Sequence, residues 1–437
     1  MTMIQGLPEK FVQRMREQLG PELAAFLRSL EEPPLRGIRM NPLKRSSAAE
    51  QYTEAEPVSW VTDAFYLPYD SNAGSSILHE AGAYYIQEPG AMMPAAVLDA
   101  KPGERILDLC AAPGGKSTQI GCAMRGEGLL VCNEPVFRRA QILSRNIERM
   151  GLTNCVVTCA MPEQLADRWK EGFDAVLVDA PCSGEGMFRR DPVTRNEWTK
   201  EKAEGCAARQ REILASAANL VRPGGRLVYS TCTYHPEENE KNAAWFVSRF
   251  PAFHTEPFTL PGIDAPDGMF TCYPHRIKAE GQFAALFRKK GDGQTVLPGD
   301  CSMPVPSRTD IAVFESTFPA FPHATHLFGN TLIHMPDLPD LKGIRILRAG
   351  LHLGEARGKN AFPDHAAALC FRTPEVSIMD LDAGQAVKYM SGETIPGDAQ
   401  GWVLMRYQGL AAGWGKGSGG TVKNHYPKGL RGIHFLP

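Results

Sequence analysis

Residues 105–118, RILDLCAAPGGKST, decide the fold. An apolar run of strand length leads into a turn of small residues and then into the start of a helix. In an open parallel sheet, the crevice that binds ligands lies beyond the carboxyl ends of the strands. Gly114 and Gly115 let a ligand approach the backbone of this turn closely, because glycine has no side chain. The stretch therefore predicts a ligand pocket at the edge of a parallel sheet.

Four more apolar runs continue the alternation of strand and helix along the chain. They are GLLVC at 128–132, CVVTC at 155–159, FDAVLVD at 173–179 and GRLVYSTC at 225–232. Helical patterns occupy residues 137–150, where Gly151 is the stop signal, and residues 201–221. Strands that alternate with helices in this way predict an α/β protein with a Rossmann-like, doubly wound sheet.

The chain outside this sheet divides into smaller segments. Its 437 residues, at ~150 residues per domain, indicate about three domains. Apolar residues every four positions from Leu7 to Leu19, and a second apolar run after Pro21, predict a pair of N-terminal helices. Glycine and proline are frequent near 291–307, as expected of a linker. We predict an N-terminal module at 1–75, the sheet domain at 76–290, this linker, a small α+β module at 308–380 and a last module at 381–437.

Composition and charge exclude several classes of protein. Apolar residues make up 43% and charged residues 22%, which are globular values and exclude a disordered or fibrous chain. The 47 basic and 49 acidic side chains nearly cancel, so a surface for polyanions has to come from local clustering. No stretch approaches the ~20 apolar residues of a membrane span, and the start of the chain does not resemble a signal peptide. We therefore expect a cytoplasmic protein that does not bind a membrane.

The last 39 residues contain such a local cluster of positive charge. No acidic residue follows Asp398, and the segment has a charge of about +5 with aromatic residues between the basic ones. A polyanion-binding surface and a solvated basic tail explain this charge equally well. The basic residues are Arg406, Lys416, Lys423, Lys428 and Arg431, and the aromatic residues are Tyr407, Trp414 and Tyr426.

The pocket motif narrows the choice of cofactor. A phosphate-binding P-loop requires glycine where this chain has Cys110, and the dinucleotide motif G-x-G-x-x-G is absent. A cofactor that contains a nucleoside but no pyrophosphate remains. Glu134 lies 19 residues after Gly115, near the ~20-residue spacing at which a carboxylate reaches ribose hydroxyls. Without the glycine turn, a helix cap or an exposed loop residue is the better interpretation of Glu134.

Two cysteines follow equivalent strand ends. Cys182 comes after the strand that ends at Asp179, and Cys232 ends the next strand. These strands are neighbours in doubly wound order, about 4.8 Å apart, so we expect both thiols to face one cavity beside the cofactor. Either cysteine alone is better explained as a small buried hydrophobic residue. The eleven cysteines form no C-x-x-C pair, so neither a disulfide framework nor a metal site is expected.

Three motifs together resemble those of a known enzyme family. LDLCAAPGGKSTQ at 107–119, VDAPCSGEGMFRRDP at 178–192 and YSTCTYHPEENE at 229–240 look like the Nop/Sun (Fmu-type) family of RNA cytosine-5 methyltransferases. Shorter elements at 39–44, 85–89, 274–275 and 281–283 extend this resemblance over residues 36 to 290. The segments GWGK at 413–416 and KNHYPKGLR at 423–431 are similar to the RsmF-like bacterial ribosomal RNA branch, which ends in a PUA-like RNA-binding module.

The resemblance implies an activity and roles for particular residues. It implies methylation of carbon 5 of cytosine in RNA, most specifically 16S ribosomal RNA, with S-adenosylmethionine as the methyl donor. Cys232 is implied as the nucleophile that forms a covalent adduct with cytosine, and Cys182 as the thiol that assists proton removal and release. Asp179 would stabilise charge on the pyrimidine, and Lys116 would hold the substrate or orient Asp179. The implied cofactor-binding residues are Ala111, Ala112, Pro113, Gly114, Gly115, Lys116, Glu134, Arg139, Asp179 and Pro181.

Some expectations are less specific. The family often has an aspartate near Ala160 for contact with adenine, so recognition of adenine falls to backbone groups or to Gln164. Arg139 and Arg190 are weaker candidates, because most arginines near a cleft are only solvated. RNA, within the small ribosomal subunit or free, is the expected partner, and the chain is expected to be a monomer without metal.

Two other functions remain open from the sequence. A catalytically silent ribosome-assembly factor that binds RNA is one of them. A DNA cytosine-5 methyltransferase also has a Pro-Cys element after the fourth strand, but the second cysteine argues against it.

Overall fold

The computed structural model describes residues 6–44, 52, 54–293, 299, 302–335, 337–370, 376–432 and 435–436. Much of the predicted linker at 291–307 lies outside these residues. The described chain begins with a small helical and β-sheet module, which leads into a large mixed sheet and then into two smaller sheets. No helix in these ranges is long and apolar enough to cross a membrane.

The N-terminal segment forms the predicted helix pair and a small antiparallel sheet. Phe11 and Met15 are fully buried and Leu19 nearly so, as the four-residue spacing predicts. They pack against Phe188 and Trp198 of the central domain. The elements are α1 (Glu9–Leu19), α2 (Leu23–Ser29), β1 (Arg36–Met40), β2 (Ala64–Leu67), α3 (Ile77–Glu80) and β3 (Tyr84–Ile86), with strand order β2-β1-β3.

The central segment alternates strands and helices, and all five predicted strands are present. Its helices are α4 (Pro89–Leu98), α5 (Gly115–Met124), α6 (Phe137–Arg149), α7 (Pro162–Arg168), α8 (Pro192–Glu197), α9 (Lys200–Leu220) and α10 (Glu240–Arg249). Its strands are β4 (Arg105–Asp108), β5 (Leu129–Asn133), β6 (Cys155–Thr158), β7 (Phe173–Asp179), β8 (Val221–Thr231), β9 (Phe253–Thr255), β10 (Phe258–Leu260), β11 (Ile263–Ala265), β12 (Met269–Cys272) and β13 (Gln282–Lys289).

The large sheet has a doubly wound core. Strands β8, β7, β4, β5 and β6 lie side by side and are parallel, so the strand order reverses between β4 and β7. The sheet continues beyond β8 with antiparallel β13 and β12, and β9 also pairs with β13. Ligands of such sheets bind where the order reverses, beyond the carboxyl ends of the strands. The Rossmann-like fold class is therefore confirmed.

Both faces of this sheet are covered by helices. On one face, Trp169, Leu214 and Phe246, which belong to or directly follow α7, α9 and α10, are buried in one hydrophobic cluster. On the other face, side chains of α4, α5 and α6 are buried in a second cluster. Strands buried on both faces are apolar throughout, which explains why the strand runs lack polar alternation.

The C-terminal segment contains a four-stranded and a five-stranded sheet. The orders are β14-β15-β17-β18 and β19-β21-β22-β23-β20. The elements of this segment are α11 (Arg308–Thr317), β14 (His326–Phe328), β15 (Thr331–His334), β16 (Ile346–Ala349), β17 (Leu351–Arg357), β18 (Asn360–Pro363), α12 (His365–Leu369), β19 (Ile378–Asp380), α13 (Ala383–Ser391), β20 (Ile395–Pro396), β21 (Gly401–Tyr407), β22 (Leu410–Ser418) and β23 (Thr421–Asn424).

One strand of this C-terminal segment joins the large sheet. β16 pairs antiparallel with β6 at the edge opposite to β12. The backbone N–H of Cys159 also donates to the carbonyl of Arg345, just before β16, at 2.8 Å. The sequence did not indicate this connection, because a four-residue strand carries little periodic signal. The large sheet therefore includes residues beyond 290, where we predict the sheet domain to end.

Candidate active site

The turn after β4 contains two glycines and is contacted by side chains of the N-terminal module. Gly114 has φ of 113°, in the left-handed region that glycine adopts without strain. A Cβ atom on Gly115 would lie 3.1 Å from the side-chain amide of Gln87, so this position also requires a small residue. Arg39 of β1 donates to the carbonyl of Gly115 at 3.1 Å and to the hydroxyl of Thr118 at 2.8 Å. The N-terminal module thus fixes the turn.

A cavity of about 220 Å³ opens beside this turn. It lies between the ends of β4 and β7, where the strand order of the sheet reverses. Its lining residues are Tyr85, Ile86, Gln87, Glu88, Ala91, Asp108, Cys110, Ala111, Ala112, Pro113, Gly115, Lys116, Asp179 and Arg190. The cavity therefore lies where the sequence predicts the cofactor pocket.

The cavity contains acceptor groups without a partner. Asp108 Oδ1 and Gln87 Oε1 are buried, and neither accepts a hydrogen bond within the described chain. Burial raises the pKa of Asp108 to about 7, although its other oxygen accepts from the Ser117 hydroxyl at 2.6 Å. Buried acceptors without donors are costly unless a ligand supplies the donors. An amino acid moiety with its ammonium group fits this requirement.

Glu134 follows β5 and is only 2% exposed. Its Oε1 accepts from the Val136 N–H at 2.9 Å, and its Oε2 lies 3.2 Å from Arg139 Nη1. Arg139 also donates to the carbonyl of Ala112 at 3.0 Å, so it links Glu134 to the cofactor turn. This carboxylate, buried at the end of the strand next to β4, is suited to accept hydrogen bonds from ribose hydroxyls.

The segment after β6 forms the other wall expected for a nucleoside. The Ala160 N–H donates to the Asn133 side-chain oxygen at 3.1 Å, and Gln164 Oε1 accepts from the Met161 N–H at 2.9 Å. Gln164 therefore caps helix α7 with its oxygen and keeps only its amide group for other contacts. Met161 is 54% exposed, an unusual position for a large apolar side chain. Met161 therefore presents an apolar side chain to solvent just after β6, in a segment where Asp is replaced by Ala160.

Lys116 and Asp179 form an ion pair at the floor of the cavity. Lys116 Nζ donates to Asp179 Oδ2 at 2.7 Å, and the Ser230 hydroxyl donates to Asp179 Oδ1 at 2.7 Å. Burial lowers the pKa of Lys116, but the charge and hydrogen bond of Asp179 outweigh this effect and raise it. Lys116 therefore stays protonated and fixes the orientation of the carboxylate. Since Asp179 is opposite Ser230 in the β7–β8 register, the arrangement follows from the strand pairing.

The two cysteine sulfurs meet next to this ion pair. Cys182 Sγ lies 3.2 Å from Cys232 Sγ, although the residues are 50 positions apart. Each thiol belongs to a loop at the end of its strand, and both residues are partly exposed. The hydrogen bond with Cys232, followed by burial, raises the pKa of Cys182 well above its usual range. The chain thus brings together two thiols that are far apart in the sequence.

The N-terminal helix supports the loops that contain both sulfurs. Arg14 of α1 donates to Glu185 Oε1 at 2.5 Å and to the carbonyl of Tyr234 at 3.1 Å. The Glu185 side chain is fully buried, so Arg14 compensates a charge in the interior. Glu185 follows Cys182, and Tyr234 follows Cys232. One side chain from the N-terminal module therefore contacts both loops.

The structure also shows what sequence reasoning placed differently or missed. Gly114, Glu134, Arg139 and Pro181 do not line the cavity, and the two sulfurs lie beyond its lining residues. Tyr85 and Gln87 line the cavity but are not among the site residues expected from the sequence. Their place at 85–89, a stretch similar to family elements, is the signal that could identify them. Asp108 also lines the cavity, although it is not among the site residues expected from the sequence. Arg190, a weaker candidate from the sequence, lines the cavity as well. In the described ranges, no group of three or more metal-ligating side chains is present.

Comparison with known proteins agrees with this geometry. Residues 95–288 match the family model of the 16S rRNA methyltransferase RsmB/F, and residues 7–89 match the N-terminal domain of RsmF. Residues 313–371 match the first C-terminal domain of RsmF, and residues 376–432 match its PUA domain. These four matches follow one another along the chain without overlap.

Relatives that match almost the whole chain are also ribosomal RNA methyltransferases. The chain is 31% identical to ribosomal RNA small subunit methyltransferase F of Cronobacter sakazakii over 97% of its length and 96% of the relative. It is 32% identical to the protein of the same name from Escherichia coli O7:K1, with the same coverage. A methyltransferase homolog from Pyrococcus horikoshii has a similar structure, with a TM-score of 0.58 and 28% identity over 65% of this chain and 96% of that one.

The range matched by the RsmB/F family model includes the turn after β4 and the loops of both cysteines. The chain belongs to the RsmF family of 16S ribosomal RNA methyltransferases, and its cofactor is S-adenosylmethionine.

Proposed function

We propose that this chain methylates carbon 5 of a cytosine in 16S ribosomal RNA through a covalent adduct between Cys232 and the base. The observation that carries the proposal is the 3.2 Å distance between Cys182 Sγ and Cys232 Sγ beside the Asp179–Lys116 ion pair. Carbon 5 of cytosine is a poor nucleophile, so the ring first has to gain electron density by addition of a thiolate at carbon 6.

The two thiols differ in a way that supports separate roles. The pKa of Cys182 is raised by its hydrogen bond with Cys232 and by burial, which keeps this thiol protonated. A protonated thiol does not attack cytosine, whereas it can take part in proton transfer when the adduct breaks down. The family resemblance assigns the nucleophilic role to Cys232, and we assign to Cys182 the removal of the carbon-5 proton and the release of the enzyme.

The ion pair is suited to stabilise charge on the pyrimidine. Negative charge accumulates at the polar edge of the ring when the thiolate adds to carbon 6. Asp179, by hydrogen bonding or proton donation at that edge, favours the addition, and Lys116 holds its carboxyl group in place. Arg190, which is exposed and lines the cavity, is placed to contact the RNA backbone at its mouth.

S-adenosylmethionine supplies the methyl group. We assign the Ala111–Gly115 turn to the backbone contacts, Glu134 to the ribose, and Asp108 with Gln87 to the ammonium group. Arg139 and Pro181, which lie outside the cavity lining, act indirectly: Arg139 orients Glu134, and the Pro181 carbonyl anchors the loop of Cys182.

The five-stranded C-terminal sheet supports RNA binding. Lys416 is opposite Trp402 on β21 and opposite Lys423 on β23, so the three side chains form a row across one face. Lys416 Nζ lies 5.2 Å from the Trp402 ring, and the His425 ring lies 4.5 Å from it. No carboxylate in the described chain pairs with either lysine, whereas Arg406 is paired with Asp380. Basic and aromatic side chains combined in this way bind nucleic acid backbones and bases.

The remaining expectations are part of the same proposal. A target cytosine has to leave its stack to reach the sheet edge, so single-stranded or accessible RNA is favoured. We propose the five segments defined from the sequence as functional modules, with RNA contacts in the first and the last. A cytoplasmic monomer that acts on free RNA or on the small subunit is consistent with a chain that modifies ribosomal RNA.

An adduct experiment tests the chemistry. Cys182→Ala is expected to accumulate a covalent complex with 16S RNA on a denaturing gel, because addition proceeds but release fails. Cys232→Ala is expected to give none. The reverse pattern would exchange the two roles, and no adduct with either variant would contradict the covalent mechanism. Bisulfite sequencing of ribosomal RNA from a deletion strain tests the target: an unchanged map favours the silent assembly factor.

A further inference from the structure

Two buried side chains hold the residues on both sides of Cys182. Gln210 Nε2 donates to the carbonyl of Pro181 at 3.0 Å. Glu238 Oε2 accepts from the N–H of Ser183 at 2.9 Å. The loop that contains Cys182 has no regular hydrogen-bonded secondary structure of its own. Its position therefore depends on side-chain contacts such as these, together with the contact between the Ser183 and Thr233 hydroxyls and the Arg14–Glu185 pair, and not on a strand or helix of its own.

Gln210 and Glu238 are themselves fixed by a buried network. Gln210 Nε2 also donates to Glu238 Oε2 at 2.8 Å, which joins them into one unit, the Glu238–Gln210 pair. Gln210 Oε1 accepts from Asn242 Nδ2 at 2.9 Å and lies 2.9 Å from the Tyr229 hydroxyl, which donates to the Glu238 carbonyl at 2.5 Å. All four residues are fully buried. Buried networks of this kind allow a single arrangement, because any other leaves polar atoms without partners.

The charge and the second oxygen atom of Glu238 are not needed for these hydrogen bonds. Its Oε1 is buried without a partner, and no basic side chain of the described chain pairs with its carboxylate. Burial raises its pKa to about 7, and the charge of Glu185 adds to this effect. A neutral amide would accept the same two hydrogen bonds at Oε2 without the cost of burying a charge.

The charge of Glu238 acts on the neighbouring thiol. After the hydrogen bond with Cys232 and burial, that charge is a further cause of the raised pKa of Cys182. The other titratable groups near Glu238 are Glu185, Tyr229 and the half-buried Cys206. None of them is a base that would draw a proton from Cys182 at neutral pH. Glu238 thus contributes both to the place and to the protonation state of this thiol.

We propose that Glu238 is a positioning residue that, with Gln210, holds Cys182 opposite Cys232. The inference rests on the proposed function, in which Cys182 is needed for release and Cys232 for attack. Glu238 acts through Cys182 and is not itself in contact with the lining of the cavity.

Two substitutions separate position from charge. Glu238→Gln places the amide oxygen at the Oε2 position, where it accepts from Ser183 and Gln210, and its NH₂ group at the unpartnered position. This variant loses only the charge. Glu238→Ala loses both hydrogen bonds as well. Glu237→Gln is the matched control, because the adjacent Glu237 is partly exposed and pairs only with Lys241 on the surface.

The readouts are the covalent RNA adduct and thiol alkylation. Glu238→Ala is expected to accumulate adduct several-fold above the native chain, towards the level of Cys182→Ala, whereas Glu238→Gln and Glu237→Gln stay at the native level. Iodoacetamide labelling followed by peptide mass spectrometry is expected to show several-fold faster alkylation of Cys182 in Glu238→Gln, because loss of the charge increases its thiolate fraction. Labelling in Glu237→Gln is expected to match the native chain.

Several results would overturn the inference. A native level of adduct in Glu238→Ala, with binding of S-adenosylmethionine unchanged, excludes the positioning role. Unchanged alkylation of Cys182 in Glu238→Gln excludes the effect of charge. If Glu238→Ala does not fold, Gln210→Met replaces it, because this variant removes the donor to the Pro181 carbonyl at similar side-chain volume. A native level of adduct in Gln210→Met would likewise exclude the positioning role. Absence of adduct in Cys182→Ala would instead contradict the proposed function, so the two failures are distinguishable.

Discussion

Replacement of Arg14 by methionine tests how far the N-terminal helix supports the catalytic loops. Methionine keeps most of the apolar stem but removes the guanidinium that pairs with Glu185 and with the Tyr234 carbonyl. The Glu185 side chain is fully buried and that of Arg14 is 18% exposed. Loss of one partner of a buried ion pair costs about 3–5 kcal/mol, and the partial exposure of Arg14 places the expected loss near the lower limit.

A double-mutant cycle isolates this interaction. Glu185→Gln removes the charge that Arg14→Met leaves without a partner, so the double variant should recover about 2 kcal/mol of the loss. The measurement is urea unfolding of the full chain, followed by tryptophan fluorescence, since Trp198 is buried in the same cluster as Phe11. A loss below about 0.5 kcal/mol in Arg14→Met, or no recovery in the double variant, would refute the reasoning.

The pH dependence provides a second check with a definite sign. Burial raises the pKa of Glu185, while the charge of Arg14 lowers it. Without Arg14 the pKa of the folded state rises further above the unfolded value, so the folded chain binds more protons than the unfolded chain. The loss of stability in Arg14→Met should therefore increase as the pH is raised from about 5.5 to about 8. A loss that decreases over this range would contradict the assignment of the buried charge.

Three further outcomes are expected. Lys116→Met should lower the methylation rate at saturating cofactor by roughly 10²-fold, because it frees a carboxylate that acts on the developing charge; an unchanged rate would exclude this role. Gly186→Ala should lower the stability by about 2 kcal/mol in thermal unfolding, since its Cβ would lie 2.4 Å from a backbone oxygen. The control Gly184→Ala, whose Cβ would lie in open space, should lower it by about 1 kcal/mol. Lys416→Glu combined with Lys423→Glu should reduce the salt dependence of RNA binding by about two phosphate contacts, measured by filter binding at several salt concentrations.

The sequence predicted the parts of the site that depend on strand order. Asp179, Cys182 and Cys232 follow strands whose apolar runs are continuous and whose connections contain helices. The rules for parallel sheets then make these strands neighbours, and the register places Asp179 opposite Ser230. The order of these strands in the sequence therefore determines which strand ends are neighbours, and the close approach of the Cys182 and Cys232 sulfurs was predictable.

Other contacts could not be predicted, because they join distant elements through single side chains. Arg14 and Glu185 are 171 positions apart, and nothing in the helical pattern of α1 distinguishes Arg14 from its charged neighbours. Glu238 stands beside other acidic residues, and only burial, which depends on the packing of α9 and α10, separates it from Glu237. Gln87 enters the cavity because β3 packs next to the cofactor turn. Long-range packing, which a periodic pattern does not encode, decides all three.

The pairing of β16 with β6 affects how the enzyme can be divided. A fragment that ended near residue 290 would leave the N–H and C=O groups of Val156 and its neighbours on β6 without partners along that side. Exposed strand edges of this kind pair with other chains and promote aggregation. A catalytic fragment without the C-terminal modules is therefore expected to be poorly behaved for a reason unrelated to RNA, and shortened versions should retain residues up to at least 349.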